Sequence, residues 1–172
     1  MRRHFAYLNY IIRHKYFVFI ACWKLDVSLW RALIHDWHKF LPCEWFPYAS
    51  TFYHHDGTNA KYETNQAFEM AWNHHEKLGK HHWQYWLLTF DNGTTKALDM
   101  PTPYLREMLA DWWGAGRAIT GNWDANTWYE KNKDKMNLSP VTRGLVELWL
   151  PESANHFETP ALLAKRRRIL GY

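Results

Sequence analysis

The sequence predicts an all-α protein of about seven helices in one domain, and three observations carry that prediction. Apolar residues recur at helical spacing along most of the chain. Helix start and stop signals, Ser, Thr or Asp before a segment and Gly or Pro after it, punctuate the sequence repeatedly. The one stretch with hairpin chemistry is short, an Asp91-Asn92-Gly93 turn expected to close a small hairpin within 86–100. A length of 172 residues suits a single domain and is enough to bury one sizeable core.

The first helix is expected from about Phe5 to Lys24. A second starts with Asp26 or Ser28 as N-cap, carries Leu29, Ala32, Leu33 and Trp37, and ends before Pro42, because the residue preceding proline is steered away from helical backbone. That helix contains His35 and Asp36. Ala49 to Glu63, with His54-His55-Asp56-Gly57, has turn chemistry and no clean period, and reads as loop. A third helix runs from about Asn65 to Leu78, capped by Thr64 and stopped by Gly79, with His74 and His75 in its last turn. A short aromatic helix, His81 to about Leu88, leads into the hairpin. Thr102-Pro103 opens a helix with Leu105, Met108, Leu109 and Trp112 on one side and Asp111 in its middle. A charged helix lies between about Ala125 and Asn137, and Ser139-Pro140 and Thr159-Pro160 repeat the start signal.

Composition excludes several classes. An apolar fraction of 47% with 22% charged residues is that of an ordinary globular chain, which sets disorder aside. The longest apolar run, Tyr16 to Trp23, is too short to span a bilayer, and Arg13-His14-Lys15 interrupts what would otherwise resemble a leader, so a cytoplasmic protein with no membrane partner is expected. Cys22 and Cys43 read as buried thiols in a reducing compartment. Much of the net charge of +4 lies in Lys165-Arg166-Arg167-Arg168, read as a solvated last helical turn, and nucleic acid is not expected as a partner.

Histidine is the informative residue: ten of eleven fall before residue 83. Imidazole is the commonest protein ligand for transition metals, so the clustering points to a metal site assembled from several helices. His35-Asp36 within a helix would project two ligand types about 100° apart. Lys39, three residues after Asp36, would sit on the same face and stabilise a phosphate oxygen. Around this doublet stand His14 on the preceding helix, His74-His75 and His81-His82 after it, and Asp111 on an otherwise apolar helix face, where it is either a ligand or the partner of Arg106 or Arg117. Glu44, Glu76 and Gln84 are candidates to orient ligands. Gly114-Ala115-Gly116-Arg117 would let a ligand or another helix approach beside Arg117.

The order His14, His35-Asp36, His74-His75, His81-His82, Asp111 resembles the HD superfamily of metal-dependent phosphohydrolases. His14-Lys15-Tyr16 resembles its first ligand helix, and His35-Asp36-Trp37-His38-Lys39 its defining doublet and following lysine. His74-His75-Glu76 resembles a motif of the cyclic-dinucleotide phosphodiesterase branch, without the Gly-Tyr-Pro that follows there. The whole chain also resembles an uncharacterised family of bacteria and their phages, in which His35-Asp36-x-x-Lys39-Phe40, Trp72-x-His74-His75, His81-His82-Trp83-Gln84-Tyr85-Trp86 and Met108-x-x-Asp111-Trp112 recur together.

The first resemblance implies two divalent ions, of Mn, Fe, Co, Ni or Zn, about 3.5 to 4 Å apart, which lower the pKa of a bridging water and clamp both oxygens of an in-line displacement. Asp36 would bridge them, with His14, His35 and Asp111 completing one shell and one histidine of each later pair holding the other ion. The expected activity is hydrolysis of a small phosphate ester or anhydride, such as a nucleotide or nucleotide-derived signal. Trp37, Trp83 and Trp112 are candidates to stack on a base, and Arg117 to bind substrate. Two other readings stand beside it: a di-iron oxygenase of the same superfamily, and a non-catalytic factor that binds a nucleotide or a protein.

Overall fold

The computed structural model describes residues 1–157, so the helix expected from Thr159-Pro160 and the basic run Lys165-Arg168 lie outside the described residues. Seven helices and one two-stranded sheet are present among them. Helix α1 (Arg2–Lys24) is the longest, followed by α2 (Leu29–Ile34), α3 (Pro42–Phe52), α4 (Gln66–Leu78), α5 (Thr102–Thr120), α6 (Ala125–Asn132) and α7 (Pro140–Ser153). Strands β1 (Leu87–Thr89) and β2 (Thr95–Ala97) pair antiparallel, Leu88 opposite Lys96, around the expected turn, where Gly93 takes φ 82°. The chain is therefore all-α with a small hairpin, and no helix of the described residues is long and apolar enough to cross a membrane.

Helices α1 and α5 form the spine. They run antiparallel, with Arg106 meeting Asp26 at one end and Arg13 donating to the Ala118 carbonyl at the other. They touch at backbone distance: a Cβ on Gly114 would stand 2.5 Å from the N and Cα of Val18. Gly114 thus admits another helix, one of the two approaches expected of this segment. One apolar cluster, with Val18, Leu105, Leu109, Trp113, Val146 and Leu150, fills the space between α1, α5 and α7. A second, with Tyr7, Ile11, Tyr48 and Phe68, joins α1 to α3 and α4. His14 stands in the stripe Tyr7, Ile11, His14, Val18, Ala21 of α1, between the residues that feed the two clusters.

Several elements differ from expectation. The second helix does not continue through His35-Asp36. It stops at Ile34, His35 is extended, Asp36 adopts the left-handed conformation at φ 54°, and a 3-10 turn follows at Trp37–Phe40. The apolar spacing that suggested continuity was misleading because Leu33, Ile34 and Trp37 face solvent, leaving Ala32 as the buried residue of α2. Pro42 ends nothing; it occupies the first turn of α3, a helix missing from the sequence expectation, where proline's absent N–H costs no hydrogen bond. The loop then begins at Tyr53 instead of Ala49. Asn65, not Thr64, caps α4 by accepting from the Phe68 N–H, and Thr102 lies inside α5 behind Pro101. The expected aromatic helix is a 3-10 turn at Trp83–Trp86. Cys22 is buried as expected, but Cys43 is exposed.

Candidate metal centre

The break after α2 makes the centre. With Asp36 left-handed, the chain turns so that its carboxylate is buried at the middle of a ring of imidazoles. The Lys15 ammonium, reaching from α1, binds the carbonyls of Leu33 and His35 and so satisfies the broken helix end. On one side of Asp36, Oδ2 lies 3.1 Å from His14 Nε2 and 3.5 Å from His35 Nε2. Asp111 Oδ1 lies 3.4 Å from each of the same two nitrogens. On the other side, Asp36 Oδ1 lies 3.3 Å from His81 Nε2 and 3.7 Å from His75 Nε2, and His82 Nε2 is 2.7 Å from His75 Nε2.

These separations have the size that metal ligation requires. Donors bound to one ion at roughly 2.0–2.2 Å stand about 3.0–3.5 Å apart in octahedral or tetrahedral arrangement. Two sets of four, His14, His35, Asp36 and Asp111, and Asp36, His75, His81 and His82, each gather their donor atoms within 4.8 Å of one another. Moreover, His35 Nε2, His81 Nε2, Asp36 Oδ1 and Asp111 Oδ1 are buried without a hydrogen-bond partner, despite lying close together. Buried polar atoms are normally paired, so four orphaned donors converging on common points fit a cation. The residues present therefore suit divalent ions.

A further layer holds the rings. Glu107 receives the His35 Nδ1–H at 3.1 Å and lies 3.5 Å from His81 Nδ1, while Arg31 donates to its other oxygen at 3.3 Å. Glu44, fully buried in the first turn of α3, is 3.2 Å from His75 Nδ1, 3.0 Å from His38 Nδ1 and 2.6 Å from His74 Nδ1. A carboxylate on Nδ1 fixes the tautomer and aims Nε2 inward, which is how ligating histidines are ordinarily oriented. Gly79 matters for the same placement. It ends α4, as expected, with extended backbone at φ −81°, and a Cβ there would stand 2.6 Å from the His82 ring.

Charge follows the geometry. Burial pushes the Asp36, Asp111 and Glu107 carboxyls up, but neighbouring imidazoles, and Lys39 at Asp36, outweigh it and hold all three below the carboxylate range. Burial lowers His14, His82 and His75, the last to about 4. Ionised carboxylates and neutral imidazoles are the protonation states of metal ligands. Burial also disfavours His35⁺, but Asp36, Asp111 and Glu107 override it and raise this histidine to about 10. The acidic side of the centre calls for positive charge.

His14, His35, Asp36, His75, His81, His82 and Asp111 come together. His74 does not join them; it turns to Glu44 with its side chain 37% exposed. Lys39 lies 2.5 Å from Asp36 Oδ2. Asp111 pairs with neither arginine proposed for it: Arg106 takes Asp26, and Arg117 lies over the Phe17 ring. Trp37 lines the cleft described below. Trp83 instead packs on the core, and Trp112 stacks on Tyr129. Of the three candidates to orient ligands, Glu44 reaches the Nδ1 atoms of His38, His74 and His75, burial raises the Glu76 carboxyl to about 7, and Gln84 Oε1 is buried without a partner. Glu107 and His38 escape the sequence pattern, although Glu107 stands four residues before Asp111 on an apolar face, which is a usable signal.

Glu107→Gln keeps the shape but removes the charge that both His35 and His81 use. We expect metal affinity to fall about 10- to 100-fold by chelator competition, with helix content by circular dichroism unchanged. Affinity within about twofold of wild type would mean that packing alone holds the rings.

A family model described as a family of unknown function (DUF5662) matches residues 3–151. No curated protein and no solved structure matches the chain. The match agrees with the resemblance, over nearly the whole length, to an uncharacterised family.

Proposed function

We infer that this chain, which belongs to the DUF5662 family of unknown function, is a metal-dependent hydrolase of the HD type acting on a phosphate ester or anhydride, with a nucleotide or nucleotide-derived compound as substrate. The observation that supports this most directly is the position of Asp36. One of its oxygens faces His14 and His35, the other faces His75 and His81, so a single buried carboxylate is shared by two ligand sets.

Two divalent ions in such sets would activate a water between them and neutralise charge on a phosphoryl group. The chain's own residues supply the rest. Asp36 spaces the two sets, and Glu107 and Glu44 keep the imidazoles aimed inward. Lys39, its side chain only 12% exposed, holds an ammonium beside Asp36, where it would meet a phosphoryl oxygen and balance the transition-state charge. HD kinship rests on the order of these ligands along the chain.

The test is element analysis of the purified full chain, together with phosphate release from a panel of nucleotides with and without added manganese. About two ions per chain and manganese-dependent release are expected. Absence of both would overturn the reading in favour of a binding protein, and iron with dioxygen consumption would move it to the oxygenase branch.

A further inference from the structure

Resting on that reading, we propose that Arg31 and Lys80 form a second anion subsite at the mouth of the centre, which makes the substrate a molecule with a further phosphate beyond the one at the metals, of the nucleoside diphosphate type. A cleft of about 340 Å³ opens onto His35, Asp36, His81 and Glu107. Its walls carry two cations against one aromatic ring. The Arg31 guanidinium stands 4.1 Å from the Tyr104 ring centre, and the Lys80 ammonium 5.7 Å from it.

The two cations are not equally matched by negative charge. Arg31 shares Glu107 with His35 and His81, and among the described residues no carboxylate lies within ion-pair distance of Lys80. Two like charges gathered at one ring cost energy unless an anion comes between them. Contact with the Tyr104 ring holds the guanidinium in place at the cleft wall, and its fork of N–H donors suits a phosphate. Glu107 stands between Arg31 and His35, which sets the guanidinium back from the metal-binding groups. The two cations meet a more distant part of the substrate. Trp30 and Trp37 line the same cleft, 69% and 54% exposed, and offer flat apolar faces of the kind that stack on a base.

The experiment is calorimetric titration of the manganese-loaded full chain with two probes, α,β-methylene ADP, which resists cleavage between its phosphates, and inorganic phosphate, which carries a single group. The variants are Lys80→Gln, at an exposed side chain, and Arg31→Gln, with metal content measured in each because Arg31 touches Glu107. We expect each variant to weaken the diphosphate analogue about tenfold while inorganic phosphate changes by less than about twofold. Equal loss for both probes, or no loss in Lys80→Gln, or no binding of the analogue to wild type, would overturn the subsite. Manganese-dependent turnover alongside any of those results would leave the hydrolase reading intact. Selective binding of the analogue without turnover would do the reverse.

Discussion

Asp36→Asn is expected to empty both ligand sets at once and to lower stability even without metal. The carboxylate is shared, so its loss removes one donor from each side, and an amide is a weak ligand that brings no charge to offset a divalent ion. Metal content should fall from about two ions per chain to near zero after gel filtration. Stability should fall for a separate reason. Lys39 and the raised His35 lose their central counter-charge while remaining buried, and stranding a buried ionic partner typically costs about 3–5 kcal/mol. Comparing metal-free wild type and variant in urea isolates this second effect. Asparagine is the right substitution because position 36 lies at φ 54°, which asparagine tolerates and alanine resists, so the backbone is left out of the comparison. A variant that keeps two ions and wild-type stability would show that Asp36 is not the shared ligand.

Gly114→Ala should be nearly as damaging although residue 114 touches no ligand. Its new Cβ would overlap the Val18 backbone at 2.5 Å, and backbone cannot rotate away, so α1 and α5 must separate. We expect a loss of about 3 kcal/mol, the upper end for overpacking. Metal affinity should fall with it. His14 is one turn from Val18 and Asp111 one turn from Gly114, and their 3.4 Å approach depends on the same two helices. Gly116→Ala is the control, two residues along the same helix, where a Cβ meets nothing nearer than 3.8 Å. That change should be neutral or stabilising by up to about 1 kcal/mol, since alanine is the better helix former. Similar unfolding curves for the two variants would mean that the close approach at Val18 does not hold the spine together.

Leu29, Leu33 and Trp37 have helical spacing, yet they lie on the solvent side, and spacing carries no information about which side is covered. Asp36 takes left-handed backbone because Lys15 of α1 engages the end of α2 and the imidazoles surround its carboxylate; all these partners are remote in sequence except His35. Pro42 is read equally well as a stop or a start, since proline suits the first helical turn as much as it disfavours what precedes it. Losing α3 from the expectation kept Glu44 among three loosely ranked candidates, when it is the anchor of His38, His74 and His75.

The sequence by itself determined the all-α class, the positions of α1 and α4, the starts of α5 and α7, the small hairpin, and the ordered set of ligand-type residues. Those features rest on local chemistry: periodicity, caps, and proline or glycine at helix ends act within a few residues. Only the tertiary structure decided that His75 and not His74 faces the centre, that both His81 and His82 do, and that Glu107 stands behind His35 and His81. Neighbouring histidines are chemically identical, and what separates them is the direction in which packing against α1, α3 and α5 points each ring. That direction is set through space by residues far apart in the chain, with Gly114 against Val18 as the contact that brings them within reach.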